Sequence, residues 1–150
     1  MKISSAKAKG RKLQNYVRDK LRKLFIDNWT LYPKLEYDDI KSQTMGMTGE
    51  DIVLSPAARK IIPFSFECKN VEKLNIWEAL NQAESNSGDN EPVLIIKRNR
   101  TKVYAVMELD GWLSLLRSKH NAGYVKNGTE INIKDYRASR RKRSLNTPRK

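Results

Sequence analysis

The run Val93-Leu94-Ile95-Ile96, entered from Pro92 and left at Lys97, is apolar without interruption. A strand that is apolar on both faces needs cover on both faces, so this run predicts the central strand of a sheet. The turn Arg98-Asn99-Arg100-Thr101 leads into a partner strand, VYAVMEL. Upstream, residues 61–69 form a second strand with sharp alternation. Phe64, Phe66 and Cys68 fall on one face, and Ser65, Glu67 and Lys69 on the other. A shorter strand over 51–54 opens on an acid, Asp51, and Ser55-Pro56 starts a turn. An irregular or edge strand is expected over 35–44, followed by a glycine-marked loop, TMGMTG.

Three helices complete the pattern. From about Gly10 to Asp27, Leu13, Tyr16, Val17, Leu21, Leu24 and Phe25 recur at helical spacing, with Lys and Arg on the other side. Asn75 is placed to cap a helix with Glu78 three residues on. Its expected inner stripe is Ile76, Leu80 and Ala83, with Trp77 beside it. A short helix over 110–119 is expected to turn Trp112, Leu115 and Leu116 inward. The order of elements predicts an α/β domain, with a mixed central β-sheet flanked by helices.

Length and hydrophobic content, 150 residues and 39%, suit one domain. We place it at 10–136, between a basic tail over 1–9 and a basic, disordered tail over 137–150. The formal charge of +13 is unevenly spread. Residues 1–23 hold nine Lys or Arg against one Asp, residues 137–150 hold seven and no acid, and the body between them is slightly acidic. Basic ends on an acidic body point to a polyanionic partner, nucleic acid above all. Lys9, Arg11, Lys12, Arg18 and Arg22 form the expected phosphate track on the first helix. Arg140, Arg141, Lys142 and Arg143 extend it in the tail. No apolar run is long enough for a membrane span, and the first residues lack the apolar core of a secretory signal. The expected location is the cytoplasm, that of the host if the chain is phage-encoded. Cys68 is the single cysteine and His120 the single histidine, which excludes an internal disulfide and a cysteine-rich zinc cluster and argues against sites needing several imidazoles.

The chemistry concentrates in GEDIVLSPAARKIIPFSFECK. Glu67 and Lys69 lie two apart on a strand and so point the same way. If the strands at 51–54 and 61–69 are neighbours, Asp51 joins them. Two carboxylates and water suit a hard divalent cation such as Mg²⁺. A lysine beside them can hold a water or offset charge developing on phosphorus. An acid-x-Lys triplet on a strand is by itself more often a solvated pair. Asp39-Ile40-Lys41 is one such decoy, with no clean apolar face around it.

Gly49-Glu50-Asp51-Ile52 and Phe66-Glu67-Cys68-Lys69, followed by the helix NIWEALNQAE, resemble the PD-(D/E)xK nuclease superfamily. Size, the basic first helix and strand order look most like the Holliday-junction resolvases of archaea and some phages. The resemblance covers about residues 10–116. It implies a restriction-endonuclease-like core and a Mg²⁺-dependent, structure-selective DNA endonuclease active in recombination, with Mn²⁺ able to substitute. It implies Asp51 and Glu67 as metal ligands, Lys69 on the water, and Gln82 orienting Lys69 or the substrate. It also implies branched DNA as substrate, a homodimer with one site per strand, and 5′-phosphate and 3′-hydroxyl products. The sequence departs from the pattern twice. Glu50 replaces the usual proline and is a possible extra ligand. Gln14 stands where the resolvases carry a metal-binding glutamate, and is a possible but poorer ligand. Three rivals are a nicking, restriction-like or exonucleolytic relative, a non-catalytic basic nucleic-acid-binding protein, and an inactive nuclease fold retained for assembly.

Overall fold

The fold is that of a computed structural model in which residues 3–28, 30 and 33–122 are described. Trp29, Tyr32, the His120 side chain and the C-terminal tail with Arg140, Arg141, Lys142 and Arg143 lie outside the described residues. The contacts divide the chain into two units, 1–106 and 107–150.

In the first unit, α1 spans Ile3–Arg22 and runs into a π-helical turn, Lys23–Asp27. Residues 3–9, expected as a loose tail, are therefore its opening turns. No Pro interrupts the series, and Ala6 and Ala8 favour helix. Leu13 and Val17 are buried, one turn apart. Tyr16 and Leu24, expected in the same stripe, are exposed, so the buried face is narrower than the periodicity suggests.

A 3₁₀ turn, Tyr37–Asp39, leads into β1 (Ile40–Ser42), which pairs antiparallel with β2 (Ile52–Leu54). Ile40, Ile52 and Leu54 are buried while Lys41 and Val53 face out, the period-2 signature of a strand. Gly46 and Gly49 sit at φ +86° and +106° in the loop between these strands, a conformation that favours glycine. Ser55 then caps a helix rather than a simple turn. Its side chain accepts from Ala58 N–H at 3.1 Å, and Pro56 opens α2 (Pro56–Ile61).

The main sheet is mixed. β3 (Phe64–Asn70) pairs parallel with β4 (Glu91–Lys97), and β4 pairs antiparallel with β5 (Tyr104–Val106). β4 is the central strand, as its apolar run predicts. The crossover between β3 and β4 is α3 (Ile76–Ser87), capped by Asn75 accepting from Glu78 N–H. Its buried face is Ala79, Ala83 and Ser87. These small residues, one turn apart, let the helix lie close on the sheet. Trp77, two positions before Ala79, is thereby rotated to the far side and is 78% exposed, contrary to its expected core position. This is a restriction-endonuclease-like α/β architecture.

In the second unit, α4 (Leu109–Ala122) is the described element. Trp112, Leu115 and Leu116, expected inward, are 49%, 42% and 36% exposed.

Candidate active site

β3 presents two faces and one unpaired edge. Lys69 and Glu67 lie on the face covered by α3. Asn70 lies on the opposite face, where its amide donates to Lys9 O of α1 at 3.1 Å. β4 occupies one edge of β3. Asp51 approaches the other edge. Its backbone N–H donates to Phe66 O at 2.9 Å, and its Oδ2 accepts from Cys68 N–H at 2.6 Å. The expected neighbour relation of β2 and β3 is thus made by Asp51 itself, while the ladder of β2 is with β1.

The hydrogen bonds of Asp51 fix its carboxylate on both sides, because Oδ1 accepts from Gln14 Nε2 at 2.6 Å. Its pKa is raised. Burial is the main cause, the Cys68 amide opposes it, the charge of Glu67 adds to it, and Lys69 and Gln14 oppose it. Asp51 and Glu67 therefore feel each other's charge. Glu67 is 3% exposed. Its Oε1 pairs with Lys69 Nζ at 2.7 Å and its Oε2 accepts from Asn86 Nδ2 at 3.2 Å. Lys69 also donates to Gln82 Oε1 at 2.8 Å. An ammonium has three protons, so one remains for a water or a phosphate oxygen. The Cys68 thiol is buried and its pKa is pushed up, chiefly by burial, which leaves it protonated and inert.

Gln14 completes the cluster. It is buried, and its Oε1 has no hydrogen-bond partner among the described residues. An orphaned buried oxygen next to a carboxylate costs free energy unless something occupies it. A divalent cation held by Asp51 and Glu67 suits that oxygen, after the amide turns to exchange its two ends. Among the described residues no three of His, Cys, Asp and Glu gather as metal ligands, and the oxygens beside Asp51 are those of Glu67 and Gln14. Oxygen donors of this kind fit Mg²⁺, which keeps several waters.

Other expected site residues have partners of their own. Glu50 is paired with Arg59, whose Nη1 also donates to Phe64 O at 2.6 Å. Glu50 thus braces the approach to Asp51. On α1, Arg11 donates to Gln43 O, and Arg22 donates to Ile40 O and Tyr37 O at 2.9 Å each. Arg18 is engaged by Asp19 and Asn15. Guanidinium forks here close the open carbonyls of β1 and its approach. Lys12 is exposed, and Lys9 donates to Asn99 Oδ1 at 2.7 Å.

Residues 5–145 match the model of a family described as "Phage putative PDDEXK endonuclease". The chain belongs to this family. No curated protein and no solved structure matches it. PD-(D/E)xK nucleases generally use divalent metals, and Glu67-Cys68-Lys69 has the (D/E)xK spelling. Among the described residues, no helix of this PDDEXK-family chain is long and apolar enough to cross a membrane. Sequence reasoning did not find Asn86 or the Cys68 amide. Asn86 lies four residues after Gln82, one helical turn on, which was the available signal.

Proposed function

We propose that this chain is a Mg²⁺-dependent, structure-selective DNA endonuclease of the Holliday-junction-resolvase type, working as a homodimer. The observation that carries the catalytic part is Asp51 bonded to the Cys68 amide, between Glu67 and Lys69 and within reach of the charge of both, with Lys69 bonded to Glu67. Asp51 and Glu67 would hold the metal, with Gln14 as the third protein oxygen. A divalent cation bound there polarises a phosphate oxygen and lowers the pKa of a bound water. The Cys68 amide orients Asp51, and Asn86 orients Glu67. Lys69, steadied by Gln82, offers its remaining proton to the attacking water or to charge building on the phosphoryl oxygens. The alternative of a non-catalytic binding protein leaves two mutually repelling carboxylates unexplained, since they would also repel DNA.

Preference for a four-way junction and the dimer rest on the resemblance of the basic first helix and strand order to the resolvases. A panel of labelled four-way junction, linear duplex of the same arms and single strand tests it in Mg²⁺. The expected result is paired cuts in the junction alone, leaving 5′-phosphate ends. Equal cutting of all three would retain the nuclease and discard junction selectivity.

A further inference from the structure

The arginines of α1 that composition offered to DNA are largely bonded within the fold, which moves the question of phosphate binding elsewhere. A groove of about 660 Å³ lies between the first half of α1 and the loop joining β4 to β5. Lys9, Lys12, Lys97, Arg100 and Lys102 line it, with Leu13 and Tyr16 of α1 among the other walls. No carboxylate lines it, and none of these five cations is in an ion pair among the described residues. Asn70, also in the lining, follows Lys69 on β3 but lies on the opposite face, bonded to Lys9 of α1, the helix whose Gln14 reaches Asp51, so α1 links the groove to the site.

The loop is held in shape before any ligand arrives. Lys97 Nζ donates to Thr101 O at 2.6 Å, Lys9 reaches Asn99 Oδ1, and Asn99 N–H donates to Glu72 Oε1 at 2.7 Å. Arg100 stands at φ +59°, which among the described residues is otherwise adopted only by glycines. An L side chain at that φ is unfavourable, and a glycine or asparagine would relieve it. Fixed loops that keep a strained charged residue concentrate at binding sites.

We propose that this groove is a DNA-backbone subsite, in which Lys9, Lys12, Arg100 and Lys102 grip phosphates of the DNA whose cleavage is assigned to Asp51, Glu67 and Lys69. None of the hairpin residues belongs to the basic track expected from sequence. The subsite deepens the nuclease reading and rests on it for the identity of its ligand.

The test is binding of a fluorescein-labelled linear duplex, by anisotropy across a salt series in EDTA, where no cleavage intervenes. The variant is Arg100→Gly with Lys102→Ser, and the control is Lys34→Ser with Lys60→Ser, two exposed lysines outside the groove. Loss of two phosphate contacts should lower the slope of log K against log salt by about 1.8 and weaken binding roughly tenfold at moderate salt. The control should change neither. Arg100→Gly should leave the melting temperature equal or higher, since it relieves the positive φ. Equal losses in both variants would reduce the groove to undirected charge and overturn the proposal, as would no loss in the groove variant or no duplex binding by the wild type. Cleavage in Mg²⁺ is scored separately, so failure of the nuclease reading is distinguishable from failure of the groove.

Discussion

Asp51 holds a negative charge where its surroundings resist it. Burial and Glu67 raise its pKa, and the Cys68 and Gln14 hydrogen bonds only partly compensate. A carboxyl whose folded pKa lies above its unfolded value destabilises the fold once ionised. That penalty is absent at pH below the unfolded carboxyl range, grows as pH rises through it, and is complete above the folded pKa. Asp51→Asn removes the penalty without breaking the cluster: its oxygen still accepts from Cys68, and Gln14 can turn its orphaned Oε1 to accept from the new amide. The metal-free variant should therefore melt above wild type at pH 7, with the gain vanishing as pH falls below the ordinary carboxyl range, while cleavage is lost. A lower melting temperature at pH 7 would mean that Asp51 is a structural acceptor only. The same neighbourhood shows what sequence exposes. Glu67 and Lys69 were legible because strand alternation fixes their side. Asn86 and the Cys68 amide were not, since a helix rotation and a backbone donor leave no signature of residue type.

β3, β4 and α1 follow from pattern, because long periodic segments average over local noise. α3 shows the limit of the method. Its helix and cap were legible, and Ala83 of its inner face, but Ile76 is exposed and Ala79 and Ser87 were missed, since small residues carry little hydrophobic signal and outrank Trp77 only through close packing. Ala79→Leu should cost about 1–3 kcal/mol by overpacking, and Trp77→Ala less than ~0.5 kcal/mol as an exposed change; thermal melts compare them, and the reverse order would place the helix wrongly. α1 makes a parallel case. A basic face reads as a phosphate track, yet Arg22 closes two carbonyls and sits over the Tyr37 ring at 5.2 Å. Arg22→Lys keeps the charge but not the fork. It should cost about 1–2 kcal/mol of stability and leave the salt slope of DNA binding unchanged. A changed slope with unaltered stability would restore Arg22 to the phosphate track.

Across the whole molecule, charge and fold divide the work. The sheet and its two covering helices put two carboxylates and a lysine around one strand, β3, in a chain whose net charge attracts a polyanion. The body charge would repel DNA locally without a cation between them, so binding and metal use belong to one account. Composition made the partner legible, and alternation with the acid before it made the site legible. The distribution of arginines between fold and ligand was not, because residue type does not say which acceptor a guanidinium finds. The most direct measurement is the initial rate of cleavage of a labelled four-way junction in Mg²⁺ and in EDTA, for wild type and Glu67→Gln of matched folding by thermal melt. The account predicts cleavage by the wild type in Mg²⁺ only, and a loss of roughly 10³-fold or more in the variant, the several kcal/mol expected when metal stabilisation of the transition state goes. Cleavage that survives the substitution, or a wild type that binds the junction and never cuts it, would contradict it.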